Sequence, residues 1–407
     1  MTKTHCRTEG NERGQTLLMF VLFMVVLFAF IGLGVDLGFA YVTRSRLSKS
    51  VDAACLEGMN NLSSGQAQAA LVASNTFFAN YGTSGRDVAP PTVTVNFGTV
   101  NGNTVINVGA TVSINTFFIR VLPAIGGAAW KTLTVGESAQ ATRADLIMSL
   151  VLDRSGSMGT DGGSTYMPPA VTNFVNDFDD TNDLVGMSSF AQWVRTDVSI
   201  EHNFKAPIKS AVTSLNYNGY TCAEQGLTNG LAQNQSIPIT AGENVIKVIV
   251  FFTDGLANTF LYDFNCGPRN ISPNRTLYAT NSGAVATSGC TVPASVTSIL
   301  GGTVSTTANG GCDLEHEAQN RAIAIADLAR SESNIVYCVG LGDPTAAGEC
   351  GDPPINPDFL LRVANDPSGA NYDPHALSGL AILTYDPSQL DALFEKIASD
   401  ILLRLSR

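Results

Sequence analysis

Two carboxylates and three hydroxyls in this chain are spaced as a hard divalent cation would need them. Asp153-Arg154-Ser155-Gly156-Ser157 follows the apolar run LIMSLVL (146–152), so a D-x-S-x-S segment stands where a buried strand ends. A second apolar run, from Val245, ends in FFTDG and places Asp254 at the same kind of position. Between them, YNGYTCAEQGL (217–227) puts Thr221 on a loop just before a helix. Mg²⁺ takes oxygen ligands in octahedral geometry and keeps some of its waters. Ser155, Ser157 and Thr221 would bind as neutral hydroxyls, and Asp153 and Asp254 would accept hydrogen bonds from bound waters. Neutral first ligands leave the ion electrophilic, so a carboxylate on a protein partner would complete its coordination. Mg²⁺ is the expected ion, with Mn²⁺ and Ca²⁺ as alternatives.

Competing readings are weaker. A Ser-rich capping turn would explain D-x-S-x-S alone, but not Thr221 and Asp254 at compatible positions. Asp177, Asp179, Asp180 and Asp183 lack the Gly and Glu positions of a calcium loop and read as a solvated helix end; Arg154 reads as a solvated surface residue. His5, His202, His316 and His375 are scattered, and Asn320 stands where His316-Glu317 would need a second zinc-binding His. Ser155 is not in G-x-S-x-G, and GTDGG (159–163) lacks the Lys of a phosphate loop. No catalytic set emerges, so binding rather than catalysis is expected. The alternative, an exported metal-dependent hydrolase with Asp153 or Asp254 as base, would need more direct carboxylate or His ligands than this set offers.

The elements around these residues must bring three loops to one edge. LIMSLVLD (146–153), DLVGMSSF (183–190), TDVSIEHNF (196–204), VIKVIVFFTD (245–254) and SNIVYCVGLG (333–342) read as strands. Helical stripes lie between and after them: Val171, Phe174, Val175 and Phe178; Leu390, Leu393, Phe394 and Ile397. Buried strands alternating with helices predict an α/β, doubly wound, mostly parallel sheet, whose carboxyl edge is where ligands bind. Residues 260–312, rich in Gly, Ser, Thr and Asn, read as a surface insertion.

The N-terminal third differs. Leu17 to Val35 is a run of 19 residues without charge, long enough at ~1.5 Å per residue to approach a ~30 Å bilayer core. It is too long for a cleaved signal and reads as a transmembrane helix over 16–35. Helical spacing continues through Leu47, Val51, Ala54 and Cys55, NNLSSG (60–65) ends that helix, and 66–80 forms another. Residues 88–143 alternate apolar and polar, and Asn101–Gly102 between two such runs is a hairpin signal. A transmembrane helix and a small antiparallel β-rich region therefore precede the α/β domain. Residues 144–407 carry net charge −15 against −12 for the whole chain, the remainder being slightly basic. With no cluster of Lys and Arg, nucleic acid is not a partner.

Lys3, Arg7 and Arg13 before the run balance Arg44, Arg46 and Lys49 after it, so positive charge leaves orientation open. Six of eight Cys fall in the C-terminal region without C-x-x-C, which favours disulfides on an oxidising side. Six Cys allow 15 pairings; Cys290–Cys312, Cys338–Cys350 and Cys222–Cys266 are the expected ones.

D-x-S-x-S, the loop Thr and the strand-terminal T-D-G together resemble the metal-ion-dependent adhesion site of the von Willebrand factor type A domain. FLLRVANDPSGANYDP and the helix QLDALFEKIASDI extend the likeness to the C-terminus. E-R-G-Q before an apolar run, then V-T-R-S-R-L (Glu12 to Leu47), resembles the TadG-type proteins of bacterial tight-adherence (Flp) pilus assembly. The resemblance implies a cytoplasmic tail (1–15), a membrane helix (16–35), a pilin-like helix with a small β-rich region (36–143) and a von Willebrand factor A domain (144–407). It implies a single-pass protein of the bacterial inner membrane with its C-terminal domain periplasmic or extracellular. Its partners would be the membrane, pilus or envelope assembly proteins and a carboxylate-bearing ligand; a membrane-tethered adhesin unrelated to pili is the alternative. A pilin-type cut would fall at Gly14–Gln15, but Met19 stands where pilins carry Glu, so an uncleaved anchor is expected.

Overall fold

The computed structural model describes residues 13–82, 87–100, 103–119, 131–239, 241–262, 276–280, 283–286, 292–307, 311–346 and 352–405. The chain divides into two compact units, Met1–Gly98 with Val105–Thr142, and Thr99–Thr104 with Arg143–Arg407.

The first unit begins with α1 (Arg13–Asn60), an unbroken helix of 48 residues. Its first half is apolar on every side and exposed: Leu17, Phe20, Phe23, Phe28 and Phe30 are each at least 60% accessible. By length and composition this helix can cross a membrane. Its second half is amphipathic. Leu47, Val51, Ala54 and Cys55 recur at helical spacing and are buried with Ala69, Ala73, Phe77 and Tyr81 of α2 (Gln66–Tyr81). A three-stranded sheet closes that core, in the order β1 (Thr92–Val100), β2 (Asn103–Asn115), β3 (Thr132–Thr142). Strands β2 and β3 are antiparallel from Val105↔Thr142 to Asn115↔Thr132. Every second residue of β2 (Ile106, Val108, Ala110, Val112, Ile114) enters the core, as the two-residue period of a half-buried strand requires. The expected turn at Asn101–Gly102 lies outside the described residues.

The second unit is built on β4 (Asp145–Asp153), short α3 (Gly156–Thr160), α4 (Gly163–Asn176), β5 (Leu184–Phe190), β6 (Val194–Glu201), α5 (Lys205–Thr213), α6 (Ala223–Gln235) and β7 (Val245–Thr253). Short strands follow: β8 (Thr259–Leu261), β9 (Thr276–Thr280), β10 (Gly283–Ala286), β11 (Ser295–Thr297) and β12 (Thr303–Ser305). The chain ends with α7 (Gly311–Ser331), β13 (Asn334–Leu341), α8 (Pro357–Ala364), β14 (Ala381–Thr384) and α9 (Leu390–Leu405). Six strands form one sheet in the order β14-β13-β7-β4-β5-β6, parallel except for the edge strand β6. Alternate residues of β4 and β7 face opposite cores. Leu150, Leu152, Val250 and Phe252 pack with α4 and α9, where Phe174 and Phe394 meet edge to face at 5.5 Å. Val151, Ile249 and Phe251 pack with α6, α7 and α8. Burial on both faces is why these strands read as continuous apolar runs. Within 260–312, β8, β9 and β10 form a small sheet and β11 pairs with β12. Strand β14 carries no sequence signal strong enough to single out its four residues.

Two expectations about the packed interior need correction. Asp183 does not belong to a solvated helix end. It is fully buried and accepts two hydrogen bonds from the Arg143 guanidinium, at 2.6 and 2.7 Å, and one from Asp179 N–H at 2.8 Å. Asp179 is also buried, and its carboxylate accepts from the backbone of Thr181 and Asn182. Nor are Cys222 and Cys338 paired. Both are free and buried, held away from bridging by their place in the packed interior, so Cys222–Cys266 and Cys338–Cys350 do not form. Cys266, Cys290 and Cys350 lie outside the described residues; Cys312 is disulfide-bonded.

Candidate metal centre

The sheet order decides where chemistry can occur. The chain enters at β4, builds outward through β5 and β6, then returns to the other side of β4 as β7. Strands β4 and β7 therefore flank the point where the winding reverses, and a crevice opens beyond their carboxyl ends. Their register pairs Leu152 with Phe252. Asp153 consequently stands beside Thr253, and Asp254 follows one residue later.

The five expected residues all come to this edge. Asp153 is fully buried, and both of its oxygens are engaged: Ser155 N–H donates to Oδ1 at 2.7 Å and Thr253 Oγ1 donates to Oδ2 at 2.6 Å. Asp254 is 2% exposed. Its Oδ1 accepts from Ser157 Oγ at 2.8 Å and, more weakly, from Ser155 Oγ at 3.4 Å. The two serine hydroxyls are 3.0 Å apart. Thr221, also buried, approaches from the third loop. A Cβ added at Gly255 would stand 3.8 Å from Ser157 Oγ and 4.0 Å from Thr221 Oγ1, so the two hydroxyls border one small space that the glycine leaves open.

Backbone contacts hold the three loops together. Gly156 N–H donates to Gly219 O at 3.0 Å, and Asn218 N–H donates to Arg154 O at 2.9 Å. Thr221 N–H donates to Asn258 Oδ1 at 2.9 Å, while Thr221 O accepts from Asn258 N–H at 3.1 Å. Gly219 takes a φ of +97°, a backbone conformation that residues with a Cβ rarely adopt, which favours glycine in this turn. Thr253, Asn258 and Gly219 are the supporting residues that sequence reasoning missed. Thr253 lies inside the T-D-G signal, but its hydrogen bond to Asp153 depends on the β4–β7 register. Arg154, expected as a solvated residue, is half-buried: Nη2 donates to Trp193 O at 3.2 Å, and burial lowers its pKa.

The electrostatics and the donor set suit a cation. Burial raises the pKa of Asp254, and the neighbouring Asp153 carboxylate raises it further. Burial also raises Asp153, against the hydrogen bonds from Thr253 and Ser155 that favour its charged form. Two desolvated carboxylates this close repel each other unless a proton or a cation lies between them. Asp254 Oδ2 is buried without a hydrogen-bond partner, which is costly unless another species occupies its lone pairs. Three hydroxyls, two carboxylates and this open acceptor fit a hard divalent ion. Among the described residues no group of three or more His, Cys, Asp or Glu is placed to hold a metal.

Residues 148–272 match the family model of the von Willebrand factor type A domain, the class that this sheet and loop arrangement defines. Residues 14–71 match the model described as putative Flp pilus-assembly TadE/G-like. The chain is thus TadG-like in layout, a TadE/G-like helix followed by a von Willebrand factor A fold. Among solved structures, it is similar to the PilB minor pilin from Streptococcus sanguinis, at 14% identity over 77% of this chain and 79% of that one, TM-score 0.42. It is also similar to the pilus adhesin SpaC from Lactobacillus rhamnosus GG, at 15% identity over 77% of this chain and 34% of that one, TM-score 0.44. The von Willebrand domain of the type V pili tip protein Mfa5 from Porphyromonas gingivalis gives 16% identity over 66% and 97%, TM-score 0.39. No protein of curated function matches the chain.

Proposed function

We propose that this chain is a membrane-anchored pilus-assembly protein that binds a protein partner through a Mg²⁺-dependent adhesion site. The observation that carries the reading is the buried, unpartnered Asp254 Oδ2 beside the converging hydroxyls of Ser155 and Ser157. Ser155, Ser157 and Thr221 would hold the ion directly. Asp153, fixed by Thr253 and Ser155 N–H, and Asp254, fixed by Ser157, would supply the compensating charge and orient bound water. The ion, when bound, supplies an electrophilic position that a carboxylate on the partner completes. The TadE/G-like match over 14–71 favours a role in pilus assembly over a free-standing adhesin.

The exposed apolar half of α1 is read as the anchor, uncleaved, in a bacterial inner membrane. The N-terminus then stays cytoplasmic, and the disulfide at Cys312 supports an oxidising location for the rest. Calorimetric titration of the detergent-solubilised full chain with Mg²⁺ tests the site. Wild type should give one-site binding heat, Asp254→Ala should give none and Ser157→Ala should bind at least tenfold more weakly; equal heats in all three would refute the assignment. A reporter fused after Arg407 tests topology, and activity of a cytoplasm-specific reporter alone would overturn it.

A further inference from the structure

We propose that the loop at residues 116–119 is a second membrane-contacting element, in which Phe117 and Phe118 enter the same lipid that surrounds the end of α1. The inference rests on α1 crossing a bilayer and adds a contact that no hydropathy argument about α1 contains. Position is the first observation. A Cβ built on Gly32 would stand 2.4 Å from Phe118 Cβ, so Phe118 lies directly on the backbone of Gly32. Gly32 is inside the uncharged run 17–35, about 5 Å before its end at 1.5 Å per residue. Whatever medium surrounds that turn of the helix surrounds the loop as well.

Exposure is the second. Phe117 and Phe118 are each 48% accessible, and Ile31, Leu33, Val35 and Leu37, on the same stretch of α1 as Gly32, are 37–53% accessible. Exposed apolar side chains therefore occur both on the loop and on the stretch of α1 around Gly32. Tyr41, one turn further along α1 and 73% accessible, is of the type that settles at the headgroup level.

The third is how polar groups are satisfied. Asp36, 3% exposed, follows the uncharged run directly. Its carboxylate accepts the N–H groups of Phe117, Phe118 and Ile119 at 2.9, 2.9 and 2.8 Å. On a water-exposed loop, solvent would satisfy those three donors. At the edge of a bilayer core, irregular backbone is tolerated only where its groups find internal partners, and an ionised side chain persists only where it faces protein. Asp36 faces protein, and through it three N–H groups of the loop find an internal partner. The aromatic pair on one side of α1 would fix the helix's depth and rotation in the membrane.

Benzoylphenylalanine placed singly at position 117, 23 or 71 of the full chain tests this in phosphatidylethanolamine–phosphatidylglycerol vesicles, read by mass spectrometry after irradiation. Leu71 is the aqueous control. It lies on α2, whose Ala73 abuts Gly58, about 40 Å along α1 from Gly32. Lipid adducts are expected at 117 and 23 and not at 71. Adducts at 23 without any at 117, or a protein–protein cross-link at 117, would overturn the loop contact and leave the anchor standing. No adduct at either position would refute the membrane-spanning reading itself. Gly32→Val, which cannot accommodate Phe118, should reduce labelling at 117 several-fold and leave position 23 unchanged; undiminished labelling at 117 would refute the Gly32 contact as what places the loop.

Discussion

Removing Asp183 should destabilise the von Willebrand factor A unit more than a surface aspartate would. The Arg143 guanidinium is 7% exposed and Asp183 is not exposed at all. Asp183→Ala deletes three acceptor contacts, two to Arg143 and one to Asp179 N–H, and leaves a buried cation unpaired. Losing one partner of a buried pair costs about 3–5 kcal/mol. In a unit of this size each kcal/mol corresponds to about 2–4 °C, so the melting temperature should fall by roughly 6–20 °C. The double variant Arg143→Met with Asp183→Leu should recover at least half of the loss, because it removes the stranded charge and fills the space. Only Asp179 N–H then remains unpaired, at about 1–3 kcal/mol. Mg²⁺ affinity should be unchanged in every variant that folds, since Asp153 lies at the far end of β4, roughly 23–33 Å away along the strand. Urea unfolding followed by circular dichroism, with the same magnesium titration, measures all three. A single variant within about 1 kcal/mol of wild type, or a double variant no better than the single, would refute the argument.

Ser157→Ala should weaken Mg²⁺ binding at least tenfold, about 1.4 kcal/mol, while changing unfolding by no more than one ordinary hydrogen bond; a large stability loss with unchanged affinity would contradict the metal assignment. In the metal-free protein, Asp153 is raised from 3.8 to about 6 and Asp254 to about 8, so the folded state holds protons that the unfolded chain releases. Metal-free stability should therefore fall as pH rises from the ordinary carboxylate range to about 8, and Asp254→Asn should flatten that slope. Because cation binding displaces the retained proton, apparent Mg²⁺ affinity should rise between pH 6 and 8, and a pH-independent titration would count against the site. Burial pushes the Cys222 thiol up to about 12 and Cys338 higher still; neither should alkylate in the native protein, and both should alkylate in urea without reductant. A reductant requirement at either would show that it is paired.

Local pattern was enough for the strands and for most of the site. A parallel strand covered on both faces must be apolar throughout, so LIMSLVL and VIKVIVFF announce themselves, and the first polar residues after them, Asp153 and Thr253-Asp254, mark the edge where ligands can sit. The helices of the first unit were legible for the same reason, because the spacing of Leu47, Val51, Ala54 and Cys55 shows which side faces a core. What remained hidden involves pairs of residues far apart in the chain. Asp183 looked solvated because Arg143 is 40 positions away and only the fold joins them. Cys222 and Cys338 looked available for disulfides because spacing carries no information about burial or direction. Thr253 acquired its role from the register of β4 against β7, and Asp36 from three N–H groups more than 80 positions later. Periodicity records which face of an element is dry, a property each segment carries by itself. Which buried polar group meets which partner is settled only when the elements pack, because the desolvation penalty that makes such pairing necessary does not exist until then.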